Sequence, residues 1–148
     1  MIQAAAPDPL VILANAQFNP HRYQRKLYSA RQRFVCAAAG VRAGKTIGGA
    51  RAKVKRIIDD VAAGRGSIVS GLGRKRRPRL HYWVIAPTFT LLAEPIRSLF
   101  EAIPPAWIER FYNDDLSLWL KGDILIEFKG ADRPQNLVSV GLNGLWCD

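Results

Sequence analysis

Apolar positions along the chain change their period several times, and each change marks an element. Between residues 18 and 33 (FNPHRYQRKLYSARQR), Tyr23, Leu27 and Tyr28 recur at helical spacing after Pro20. Phe34 to Ala39 (FVCAAA) is a short continuous apolar run, the pattern of a buried strand. From Thr46 to Ala63, Ile47, Ala50, Val54, Ile57, Ile58 and Val61 draw an apolar helix face with Arg51, Lys53, Lys55 and Arg56 around it, and Gly64 supplies the stop. His81 to Ala86 (HYWVIA) predicts a second buried strand that ends at Pro87-Thr88. The helix after it runs to about Ile103, with Pro95 near its first turn and Pro104-Pro105 closing it. Leu116–Leu120, the turn Lys121-Gly122-Asp123 and Ile124–Phe128 read as a β-hairpin. A last apolar run, Gly144 to Cys147, ends on the carboxylate of Asp148. Residues 64–79 follow neither period and read as an irregular connection.

Composition narrows the class. At 148 residues and 49% hydrophobic, the chain is one globular domain's worth of sequence. The longest apolar stretch, Tyr82 to Leu92, is broken by Pro87, so no membrane span is expected. The N-terminal MIQAAAPDPLVILANAQ has no basic leader ahead of its apolar patch; a cytoplasmic rather than secreted protein is expected. Cys36 and Cys147 each lie in an apolar run and read as small core residues of a reduced protein. With only His21 and His81 as histidines, no metal-ligand cluster forms.

The charge is unevenly spread. Of 22 lysines and arginines, 17 lie in residues 1–79 against three acids there, while the remainder of the chain is acidic by four charges. A basic half suggests a polyanionic partner, nucleic acid or nucleotide. Arg74, Lys75, Arg76, Arg77 and Arg79 cluster in the irregular connection, a candidate contact to the backbone of double-stranded DNA.

The strongest chemical signal is Ala39-Gly40-Val41-Arg42-Ala43-Gly44-Lys45-Thr46, between a predicted strand and a predicted helix. It has the spacing G-x-x-x-x-G-K-[ST] with alanine at the first position. A loop so placed points backbone N–H groups at a polyphosphate, with the helix dipole favouring the negative charge. Gly44 lets the backbone approach the ligand, Lys45 would meet the β- and γ-phosphates of ATP, and the Thr46 hydroxyl would complete the shell of Mg²⁺. Alanine is permitted at position 39 if its φ is negative. Asp148 is the one well-placed carboxylate to hold Mg²⁺ through water, and no residue of the chain offers itself as the water-orienting base.

AAAGVRAGKT, WVIAPTFTLL, the hairpin ending ILIEFKGADRPQNL, and VGLNGLWCD together resemble, in that order, the ATPase domain of large terminase subunits, the DNA-packaging motors of tailed phages. The resemblance covers residues 18–148, with 1–17 as an extension. It implies an α/β fold: a P-loop NTPase core of the ASCE/RecA-like kind, with a mainly parallel sheet flanked by helices, incomplete at its C-terminus and without the nuclease domain. It implies that Arg42 is a cis arginine sensing the γ-phosphate, that Tyr23-Gln24 recognises adenine, and that Asp148 is the Walker B aspartate. The family's catalytic glutamate would follow Asp148, so these residues alone are expected to bind ATP weakly and to turn it over poorly. Portal protein, the small terminase subunit and a homo-oligomeric ring are the implied partners. Where many relatives carry a basic residue, this sequence has Leu137-Val-Ser-Val-Gly141, which puts that residue's role in doubt. Two other readings stand beside it: a superfamily 2 helicase-type ATPase, which shares a strand ending in Pro-Thr, and a non-enzymatic basic DNA-binding module in which Gly-Lys-Thr is accidental.

Overall fold

The computed structural model describes residues 20–66, 77–138 and 140–148. The chain divides after Arg65 into two compact units.

In the first unit, α1 (Arg22–Ser29) precedes α2 (Lys45–Ala62). Gln24, Leu27 and Tyr28 form the partly covered stripe of α1, at the i, i+3, i+4 spacing that shares one face of a helix. Gln24 and Leu27 reach Gly48 of α2 closely enough that a Cβ there would stand 3.5 and 3.6 Å from them. Burial pushes the Tyr28 phenol well above its ordinary pKa, opposed by the charge of Arg51 on α2. In α2, Ala50, Val54, Ile57 and Ile58 are buried as the periodicity predicts. The helix ends in a Schellman arrangement: Gly64, at φ +65°, donates to Val61 O, and Arg65 donates to Asp60 O. The buried Asp60 carboxylate accepts from Arg65 at 2.8 Å and lies 3.3 Å from Arg56 Nε, so its desolvation is offset by two guanidinium groups.

Phe34–Ala39 is not the buried strand its composition suggests. These residues are exposed, carry no strand pairing, and the first unit's described elements are both helices. An extended run needs a neighbouring strand to satisfy its N–H and C=O groups, and no helix offers one. Cys36 lies in this run and is exposed, as is Cys147, so neither is the core residue expected. Over residues 20–33 the chain is helical only in α1, and the turn that would continue it is extended at Ala30 (ψ 127°); residues 18 and 19 of that reading lie outside the described residues.

The second unit is a five-stranded sheet in the order β2-β3-β4-β1-β5. Its strands are β1 (Leu80–Ala86), β2 (Ile108–Tyr112), β3 (Ser117–Leu120), β4 (Ile124–Gly130) and β5 (Gly144–Cys147). β1 pairs in parallel with β4 on one side and β5 on the other, while β2-β3 and β3-β4 are antiparallel. The α/β class is as expected, and among the described residues the sheet is evenly mixed, two parallel pairings and two antiparallel, where a mainly parallel one was expected. The expected hairpin supplies one antiparallel pairing, and β2, which the sequence pattern does not mark, adds the other. Asp123 (φ 61°) and Gly122 (φ 87°) turn the hairpin. A 3-10 turn, Phe89–Leu92, leads into α3 (Ala93–Ala102), where Pro95 occupies the first turn and breaks no helical bond. Phe100 of α3, Phe111 of β2 and Phe128 of β4 stack edge to face, with centroids 5.3 and 6.3 Å apart. Among the described residues no helix is long and apolar enough to cross a membrane.

The opposite face of β1 and β4 holds a buried carboxylate. Glu127, directly across from Trp83, accepts from His81 Nε2 at 2.6 Å and from Trp83 Nε1 at 3.0 Å, and its other oxygen accepts from Lys129 at 3.2 Å. An ionised group out of water is tolerated only when so surrounded. Asn143, just before β5, accepts from the His81 N–H and donates to the carbonyls of His81 and Gly66, fastening β5's approach to β1. Replacing Glu127 by alanine strands three donors, and a destabilisation of about 3 kcal/mol or more is expected in denaturant unfolding. Glu127→Gln keeps one acceptor oxygen and is expected to cost less; equal costs would make the carboxylate's partners irrelevant.

Candidate nucleotide-binding site

The segment from Ala39 to Thr46 turns from exposed, extended chain into the first turn of α2. It does so through two left-handed residues, Arg42 (φ 61°) and Gly44 (φ 71°), with Ala43 donating to Gly40 O at 3.3 Å between them. Gly44 is the N-cap of α2, and no side chain caps the helix. An 18-residue helix that starts without a capping side chain or an acidic first turn has backbone donors and a positive dipole end directed at this loop. That is the chemistry of an anion site.

Glycine is required at 44 for two reasons: its φ, and a Cβ there would stand 2.9 Å from Gln24 Nε2. It is not required at 40, where φ is not positive and a Cβ would meet nothing within 4 Å. Ala39 is likewise free of positive φ, so alanine at the motif's first position costs no backbone strain. Arg42 has no such ease. A side chain in the left-handed region costs about 1–2 kcal/mol, a strain that surrounding structure must hold.

What holds it is α1. Gln24 uses both ends of its amide, accepting from the His21 N–H at 3.2 Å and donating to Gly44 O at 3.1 Å. His21 adds a second strut through Nε2, 3.3 Å from Ala43 O; an acceptor there requires the ring nitrogen to carry the hydrogen. The spacing of the loop motif assigns no role to His21. Its signal is local: a polar residue after Asn19-Pro20 at the start of a helix is where a chain entry is fixed. Lys45 points back along the loop, its ammonium donating to Ala39 O and Gly40 O, both at 2.9 Å.

The predicted site residues separate into groups. Ala39, Gly40, Val41, Arg42, Ala43, Gly44, Lys45, Thr46 and Gln24 come together in the first unit. Val41, Arg42 and Lys45 reach the surface there, while Gln24 and Gly44 close over one another. Tyr23 sits on the outer side of α1, 63% exposed, with Arg22 and Lys26 over its ring. Asp148 follows β5 in the second unit, its N–H donating to Ile85 O at 2.9 Å, at the carboxyl ends of the parallel strands. Ligands of open α/β sheets collect at that edge. Among the basic cluster, Arg74, Lys75 and Arg76 lie outside the described residues; Arg77 and Arg79 precede β1.

The fold matches the ATPase domain of the large terminase of Thermus phage P74-26 with a TM-score of 0.66, at 19% identity and over 94% of this chain. The chain has the fold of a phage large terminase ATPase domain. An arginine-to-alanine mutant of the same phage domain matches with a TM-score of 0.61 at 18% identity, again over 94% of this chain. This chain spans little more than half of each, 55% and 56%. No family model matches the sequence, and no curated protein matches it.

Gly44→Ala is expected to lower stability by about 1–2 kcal/mol, from backbone strain and from pushing Gln24 off the loop. Since the glycine change already breaks the Gln24 strut, Gln24→Ala/Gly44→Ala should cost less than the sum of the single changes in thermal unfolding. Strict additivity would mean that Gln24 does not support the loop.

Proposed function

We propose that this chain is the ATP-binding part of a DNA-packaging motor of the large terminase kind, in which ATP hydrolysis drives double-stranded DNA into a prohead. The observation that carries the reading is the loop 39–46. It is glycine-hinged, braced by α1, and opens an uncapped helix in a chain whose fold is that of a terminase ATPase domain.

The residues present fit a nucleotide with its metal. The loop N–H groups and the start of α2 would hold the phosphates, Lys45 would exchange two carbonyl partners for phosphate oxygens, and the Thr46 hydroxyl would serve Mg²⁺; a part for Asp148, in the second unit, rests on the family resemblance alone. The metal supplies charge neutralisation and orientation of the phosphates. Arg42, held exposed by its left-handed backbone, would meet the γ-phosphate as a cis arginine. Gln24 would have to trade its bond to Gly44 O to read an adenine, so its first service is to the loop. In the whole protein, double-stranded DNA is the translocated substrate. Portal protein, the small terminase subunit and further copies in a ring complete the assembly.

Titration of a fluorescent ATP analogue in the presence of Mg²⁺ tests the site. Lys45→Ala is expected to weaken binding at least about tenfold, as one charge-assisted hydrogen bond to phosphate disappears. Thr46→Ala should remove most of the Mg²⁺ dependence. Identical titrations of the unmodified and Lys45→Ala chains would sink the nucleotide assignment.

Charge reversal across Arg74–Arg77 is expected to weaken duplex binding and to flatten its dependence on salt. Each phosphate that a cation no longer neutralises takes about 0.9 off the slope of log affinity against log salt. An unaltered slope would return the cluster to the status of a solvated loop.

A further inference from the structure

The first unit carries a second charged surface that the nucleotide loop does not use. Residues 20–58 contain eleven lysines and arginines and not one aspartate or glutamate. The first carboxylates after them, Asp59 and Asp60, already face Lys55, Arg56 and Arg65 at the far end of α2. On α1, the inward stripe is Gln24, Leu27 and Tyr28; Arg22, Tyr23, Arg25, Lys26 and Ser29 are exposed. Arg22, Arg25 and Lys26 fall within about 100° of one another around the helix. Among the described residues, no carboxylate pairs with any of the three.

This arrangement runs against local helix rules. Like charges three and four residues apart repel, and Arg22 lies at the positive end of the helix dipole, where an acid is favoured and none is present; of the three, only Lys26, in the last turn, suits the dipole. The cations are kept in place by other means. Arg22 and Lys26 lie over the Tyr23 ring at 5.0 and 5.9 Å, and Arg25 is anchored through Nε on Pro20 O at 3.0 Å. A face that departs from the helix's own preferences yet is held in order is where a partner is expected to supply the missing charge. The outward positions hold no aliphatic side chain, so the face lacks the apolar centre of a protein–protein interface.

We propose that the outward face of α1, through Arg22, Arg25 and Lys26, is a sequence-independent contact to the phosphate backbone of double-stranded DNA, additional to the 74–79 cluster. It rests on the reading of DNA as the partner and adds the surface that meets it. The contact positions a duplex without reading its sequence, since none of the three side chains needs a base edge.

The test uses the full 148-residue chain and a duplex of mixed sequence, with binding followed by anisotropy from about 50 to 200 mM salt. Arg22→Gln/Lys26→Gln should make the slope of log affinity against log salt shallower by about 1.8, at about 0.9 for each of two phosphates. Arg22→Lys/Lys26→Arg should retain the slope, and neither variant should alter binding of the ATP analogue. A slope unchanged in the Gln variant overturns the α1 contact while leaving DNA as the partner. Equal competition by poly-glutamate would also overturn it, as an unspecific cationic surface. Failure of the unmodified chain to bind duplex at the lowest salt would overturn both the contact and the reading on which it rests.

Discussion

β1 has no open edge. Seven residues of it pair with β4 and four with β5, all in parallel, and its side chains are almost wholly buried. A strand buried on both faces and paired on both sides can hold a polar side chain only where every donor and acceptor is met. The Glu127 cluster meets that condition on one face. The rings of Phe100, Phe111 and Phe128 pack the other. The position of Asp148 follows from the same pairing: β5 runs parallel to β1, so the residue after it lies beside the end of β1, with its N–H on Ile85 O. A carboxylate at that edge is a consequence of strand direction before it is a matter of chemistry.

In the first unit a different constraint governs the loop. Two left-handed residues within three positions are costly for a flexible chain, and one of them is arginine. The struts from His21 and Gln24 fix the carbonyls of Ala43 and Gly44 and thereby the turn that aims the start of α2. Preorganisation of this kind spares a ligand the cost of ordering the loop when it binds. The bonds from Lys45 to Ala39 and Gly40 satisfy its ammonium within the loop, so any other partner would have to displace them.

Much of this is legible in the sequence. The hairpin is marked by Lys121-Gly122-Asp123 between two short apolar runs, α2 by its apolar period and Gly64, and the loop by Gly44-Lys45-Thr46 at fixed spacing. These signals are local, since backbone φ preference and helical period act within a few residues. Phe34–Ala39 misleads because an apolar run specifies burial but does not provide the neighbouring strand that would make it one. Cys36 and Cys147 mislead for the same reason: an apolar neighbourhood in sequence is not a covered position in space. β2 escapes notice because Ile108–Tyr112 (IERFY) places Glu109 and Arg110 side by side and breaks the alternation.

The sequence by itself therefore determined the glycine-hinged loop, the helix it opens, the hairpin, and the excess of positive charge in the first half, all from short-range geometry and composition. Tertiary structure decided that Glu127 would lie against His81 and Trp83, that Gln24 and His21 would brace a loop some twenty residues away, and that Tyr23 would face outward between cations. Those outcomes depend on which strands and helices become neighbours. Register and packing set that, and no window of the sequence contains both partners.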